Sequence, residues 1–223
     1  MKKCLIAPTI ALLLGACSAP HPPAPAMGEV LPTAQAPDIS AGQQWTYRRI
    51  DLWKNEEVER FSQTFNIQTG NKWSVAWGIL SSTDPTRLGT TSEQFDATTQ
   101  GFADPRMSGR YVPLNFPLSM GKKWAFNYKF QSKPDTLVEV TQTAVVARWE
   151  TVTVPAGVFK AVRVEHLGSY KATQGAQSWL GKITETFWYA PEVGRVVAHE
   201  YKDTTGTGKT WDQRRDELVA LRK

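Results

Sequence analysis

At 223 residues, with 41% hydrophobic and 11% aromatic side chains, the chain can bury a core as one domain or two small ones, which excludes a protein disordered throughout. Its formal charge is +5, and loss of an N-terminal export segment carrying Lys2 and Lys3 leaves 24 basic against 21 acidic residues. These are interspersed without a basic helix, which argues against a nucleic-acid partner. The longest apolar run, Leu5 to Leu14, is broken by Pro8 and falls short of the ~20 residues that cross a bilayer as a helix, so membrane attachment has to be covalent or peripheral.

Lys2 and Lys3 form a positive n-region and Leu5 to Leu14 an apolar h-region, the pattern of an export signal over residues 1–16. Leu14-Gly15-Ala16-Cys17 then resembles the bacterial lipobox, in which small residues admit the backbone to a peptidase and the thiol takes a lipid. An ordinary secreted protein with a chance cysteine is the competing reading, but Cys17 stands where lipidation requires it. Each buried methylene contributes ~0.8 kcal/mol, so two or three acyl chains anchor stably where one does not. Ser18 after the cysteine, by similarity to enterobacterial sorting rules, implies the outer membrane facing the periplasm. Cys4 leaves with the signal, so no pair remains for a disulfide. Residues 17–41 read as a lipidated cysteine and a semi-rigid spacer rich in proline and alanine, in which His21 is solvent-exposed filler rather than a metal ligand.

Residues 42–223 read as a single β-rich domain, because the dominant hydrophobic period is two. Phe61, Phe65 and Ile67 share a face around Gln63. Trp73, Val75, Trp77 and Ile79 share another, and Trp124, Phe126, Tyr128 and Phe130 a third. The stretches Thr136 to Val154 and Val158 to Tyr170 are rich in Val and Thr. Turn signals at Gln68 to Asn71, Val154 to Gly157, Ala190 to Gly194 and Thr204 to Gly208 join them through gaps short enough for antiparallel hairpins. Ser81 to Met120 is irregular and reads as a lid or rim. Asp212 to Leu221 fits a short helix or, preferably, a final edge strand. Gly42 to Tyr47 and Gly121 to Phe126 echo each other, which fits either a duplicated β unit or shared hairpin grammar.

Three segments carry a resemblance: Pro117 to Trp124, Val154 to Ala161, and Phe187 to Val196. In that order they resemble exported bacterial proteins of unknown function. The resemblance covers roughly Gly42 to Lys223 and implies an all-β fold, a curved antiparallel sheet or half barrel distantly similar to the carriers LolA and LolB. It implies no catalytic residue, and the exposed apolar loop of such carriers has no counterpart in this sequence.

Chemical constellations fare poorly. Gly206-Thr207-Gly208-Lys209-Thr210 looks like the end of a phosphate loop, but Asp203 stands where a glycine belongs and too little chain follows, so nucleotide binding is not expected. His166 beside Glu165 and His199 beside Glu200 cannot pair with their neighbours, since adjacent strand residues face opposite ways. An enzyme would need both histidines near another carboxylate. No nucleophile elbow and no metalloprotease helix motif is present, and no metal or other cofactor is expected. Trp53, Trp179 and Trp211 are the tryptophans best placed for exposed contacts.

The resulting expectation is a non-enzymatic, membrane-anchored β domain whose concave aromatic face holds an apolar ligand or a segment of an envelope protein. Trp73, Val75, Trp77, Trp124, Phe126 and Tyr128 are the candidate lining, with core packing the competing role for each. A structural or assembly lipoprotein with a filled interior and a cell-envelope glycan binder are the alternatives.

Overall fold

A computed structural model describes residues 32–223. The export signal, Cys17 and the first part of the spacer lie outside the described residues. Twelve strands follow in order: β1 (Gln44–Asp51), β2 (Glu56–Thr69), β3 (Lys72–Ser82), β4 (Gly89–Asp96), β5 (Gly101–Ala103), β6 (Met107–Gly109), β7 (Lys123–Lys133), β8 (Thr136–Val154), β9 (Gly157–Gln174), β10 (Gln177–Ala190), β11 (Arg195–Thr205) and β12 (Thr210–Arg222). A single 3-10 turn, Pro85–Arg87, is the helical structure among the described residues; Asp84 caps it by accepting from the Thr86 backbone N–H.

All twelve strands form one antiparallel sheet in the order β5-β4-β3-β2-β1-β12-β11-β10-β9-β8-β7-β6. Its two edges, β5 and β6, are consecutive in the chain, so the sheet curls until they approach across the Asp104 to Arg106 turn and the barrel is nearly closed. Three-residue edge strands leave few unpaired backbone groups at this seam. The period-two faces form the inside wall: Val138, Val140, Gln142, Ala144 and Val146 of β8 are buried, whereas Leu137, Thr141 and Thr143 are exposed.

Several expectations change at this level. Ile67 is 67% exposed, because a bulge between Phe65 and Ile67 shifts the phase of β2 and turns it outward. The last strand is not an edge, since β12 lies in the middle of the sheet, pairing with β1 on one side and β11 on the other. The folded unit also begins before Gly42. Ala34 exchanges backbone hydrogen bonds with Leu118 at 3.0 and 2.8 Å, Ile39 is buried, and Trp149 Nε1 donates to the Pro32 carbonyl at 2.9 Å. Residues 32–41 are thus a strap packed on the barrel rather than free spacer.

Nor is Ser81 to Met120 a rim throughout. It supplies β4, β5 and β6, then turns inward, where Leu114 and Leu118 are fully buried. Inside, the Val112 carbonyl accepts from Trp124 Nε1 at 3.0 Å and the Pro113 carbonyl meets His166 Nε2 at 2.9 Å. This stretch is a plug that divides the interior into a filled half and a hollow half.

Candidate functional site

In the filled half, Trp45, Phe65, Trp73 and Phe95 pack edge to face, with ring centroids 5.0 to 5.9 Å apart. Within this cluster lies Arg195, buried, its guanidinium 4.3 Å from the Phe95 ring centroid and 5.2 Å from that of Phe65. Gln100 and Gln63 accept from its two terminal nitrogens at 2.9 and 2.5 Å. Burial holds the guanidinium below its ordinary pKa, with Tyr47 nearby acting in the opposite direction.

The hollow half contains a cavity of about 1210 Å³. Its apolar wall comes from Tyr128, Phe130, Val138, Tyr170, Ile183 and Tyr201, and its mouth from Trp179, Leu180 and Trp211. Two glycines shape this wall. A Cβ on Gly181 would lie 2.3 Å from the Tyr170 ring, and one on Gly168 would lie 2.4 Å from Gln142 Cγ. Glycine therefore lets both side chains lie flat against the sheet and keeps the space open.

The cavity floor is polar. Glu185 on β10 sits opposite His166 of β9 and Tyr201 of β11, and is buried. Its Oε1 accepts from the Tyr111 hydroxyl at 2.8 Å and from His199 Nε2 at 3.2 Å; its Oε2 accepts from Gln142 Nε2 at 2.9 Å. Burial alone would raise the carboxyl pKa, but the His199 hydrogen bond and charge, the charge of His166 and the Gln142 amide together draw it down to about 2. His166 is pushed below its usual value by burial, against the attraction of Glu185. Desolvation, then the negative charge of Glu185, raises Tyr111 and Tyr128, while burial and Asp203 push Tyr170 up to about 12. The hydroxyls therefore stay protonated and act as donors.

Tyr128 is the member of the six-residue candidate lining that faces this cavity. Trp73 and Val75 are buried in the filled half, where Trp77 stacks on Phe61 at 5.0 Å. Trp124 and Phe126 pack against His166 and the plug, with centroids 5.9 and 5.6 Å from the imidazole. The structure thus separates residues that alternation made look equivalent. Trp53 is exposed at the β1–β2 turn, away from the cavity lining, whereas Trp179 and Trp211 stand at the mouth.

Sequence reading missed Glu185, Gln142, Tyr111 and Arg195. For two of them a signal existed. Glu185 falls in the apolar phase of Ile183, Glu185, Phe187 and Tyr189, and Gln142 in that of Val138, Val140 and Ala144. A polar residue in the inward phase of a strand has to find buried partners. Of the two histidines only His199 bonds a carboxylate, Glu185 on the strand between theirs; His166 lies opposite Glu185 in register but bonds the Pro113 carbonyl. Chemically, this floor is a carboxylate held by three donors of the protein itself. Phe187 stacks on His199 at 4.3 Å, fixing the imidazole against the wall, and among the described residues no three His, Cys, Asp or Glu side chains gather as metal ligands.

No protein-family model matches the sequence, and comparison with curated proteins gives no match. Solved structures do match. A Bacteroides fragilis protein, provisionally described as exported and of YmcC-like fold, covers 86% of this chain and 100% of its own at 15% identity, with a TM-score of 0.51. A Parabacteroides distasonis chain, provisionally described as a lipoprotein, gives the same coverages at 11% identity and a TM-score of 0.52. The domain shares the fold of these two proteins. The hypothetical lipoprotein YmcC of Escherichia coli also aligns, at 9% identity over 81% of this chain and 85% of its own, with a TM-score of 0.39. The expected all-β curved sheet is therefore found, closed further than a half barrel.

Proposed function

We propose that this protein is a lipid-anchored, non-enzymatic envelope lipoprotein that holds an apolar or amphiphilic ligand in the hollow half of its barrel. The cavity carries this reading. A protein whose interior served only stability would fill 1210 Å³, as the other half is filled, because close packing is worth several kcal/mol per large side chain. A volume lined by aromatic and aliphatic faces with a few converging polar groups is the ordinary form of a small-molecule site. Attachment through Cys17, and placement in the outer membrane facing the periplasm, belong to the same proposal. They rest on the lipobox-like Leu14 to Cys17 and on Ser18, with support from fold neighbours described as exported or as lipoproteins.

The test is mass spectrometry of small molecules released from the untagged protein purified out of envelopes. A stoichiometric amphiphile is expected, and an empty protein would favour the assembly role instead. In parallel, a Cys17→Ser chain should lose radioactive palmitate and leave washed membranes; retention of label would refute the anchor. A glycan ligand is the second reading, favoured by Trp179 and Trp211, 41% and 66% exposed at the mouth. It predicts quenching of tryptophan fluorescence by peptidoglycan fragments that Trp211→Ala abolishes.

A further inference from the structure

The polar atoms left without partners differ in kind between the two halves. In the hollow half they are Gln142 Oε1, His166 Nδ1 and Asp203 Oδ1. Hydrogen-bond logic makes every one an acceptor. An ionised Glu185 accepts only, so Gln142 has to present its amide N–H₂ to Oε2 and keep its carbonyl oxygen free. His166 Nε2 faces the Pro113 carbonyl, so Nε2 bears the hydrogen and the unprotonated Nδ1 accepts. Asp203 lines the cavity itself; one of its oxygens takes the Tyr170 hydroxyl at 3.4 Å and the other takes nothing. Gln142 and His166 stand behind Glu185, so Glu185 and Asp203 are the acceptors the cavity meets directly.

Charge points the same way. The guanidinium groups around the mouth are engaged: Arg214 pairs with Asp212 and lies 4.1 Å from the Tyr201 ring centroid, and Arg106 pairs with Asp104 at 2.6 Å; the remaining lining cation, Lys133, is exposed at the end of β7, at the rim rather than the floor. His199 Nε2 is used by Glu185. An anionic head group reaching the floor would face two carboxylates without a free guanidinium, a costly burial. A cationic one would find those carboxylates and the ring face of Tyr128, which attracts cations.

We infer that the cavity selects an amphiphile whose inserted head is an ammonium group, its N–H donors meeting Glu185 and Asp203 and its apolar body lying along the wall of Tyr128, Phe130 and Ile183. This rests on the ligand-holding reading above and adds the chemistry of the ligand.

The test uses the full mature chain carrying Cys17→Ser, titrated calorimetrically with three probes of equal length below their aggregation limits: dodecylamine, dodecanol and dodecanoate. The amine should bind at least tenfold more tightly than the carboxylate, with the alcohol between. Glu185→Gln should bring amine and carboxylate within about threefold of each other. Asp203→Asn, at a half-buried position whose loss does not threaten folding, should narrow the ratio by a smaller factor. Equal binding of all three probes, or preference for dodecanoate, overturns the ammonium inference while sparing the cavity reading. Failure of every probe to bind overturns both.

Discussion

The two halves of one barrel handle a buried charge in opposite ways. Around Arg195, the aromatic rings of Trp45, Phe65, Phe95 and Phe102 close on a cation and two glutamine carbonyls take its terminal nitrogens. Its unpartnered neighbours, Trp45 Nε1, Trp77 Nε1, Gln100 Nε2 and Arg195 Nε itself, are all donors. Around Glu185, three donors satisfy an anion, but the wall beyond it opens and the unpartnered atoms are acceptors. The filled half is built so that its charge is finished on folding. The hollow half leaves its charge available to a visitor.

The sharpest way to break this contrast is Arg195→Ala, which empties a packed aromatic cage and strips Gln63 and Gln100 of their donor. A loss of about 3–5 kcal/mol is expected in urea unfolding, and a loss under 1 kcal/mol would show the cage to be loosely packed. Glu185→Gln should show a smaller effect that depends on pH. Because folding depresses this carboxyl from 4.5 to about 2, its contribution is complete above about pH 4.5 and disappears as pH falls through 2. The wild type should therefore exceed the variant by on the order of 3 kcal/mol at pH 7 and converge with it toward pH 2. A gap that persists at pH 2 would remove ionisation as its cause.

Gly181→Ala comes next. The new methyl collides with the Tyr170 ring at 2.3 Å and must drive it off the wall. Stability should fall by about 1–2 kcal/mol, and probe affinity by more than that strain implies if Tyr170 is pushed into the cavity. Unchanged affinity would separate Tyr170 from the binding wall. The smallest effect belongs to Trp211→Ala. At 66% exposure it should alter stability by under about 0.5 kcal/mol, while reducing the fluorescence response to a bound probe.

The barrel was legible in outline because its strands alternate strictly enough for hairpins to be placed by their turns. The central pairing was not, since β1 and β12 join residues at opposite ends of the domain, such as Trp45 with Leu221, and no local pattern encodes it. The candidate lining divides between the two halves for a related reason. Trp73 and Tyr128 have the same alternation signature, and only the plug, running inward from Tyr111 to Leu118, decides which of them faces filled core and which faces space. Ile67 shows the local limit: one bulge reversed its side without a change in composition.

The strap ahead of β1 gives the molecule a direction. Its contacts, from Trp149 to Pro32 and from the Tyr189 hydroxyl to the Gln35 carbonyl, lie near one end of the strands, while Ser178 to Leu180 open the other end of the same β10. At the rise of an extended chain, Tyr189 and Ser178 stand about 35 Å apart. The strap of residues 32–35 and the cavity mouth therefore lie at opposite ends of β10, so the barrel has a strapped, solid base and an open far end.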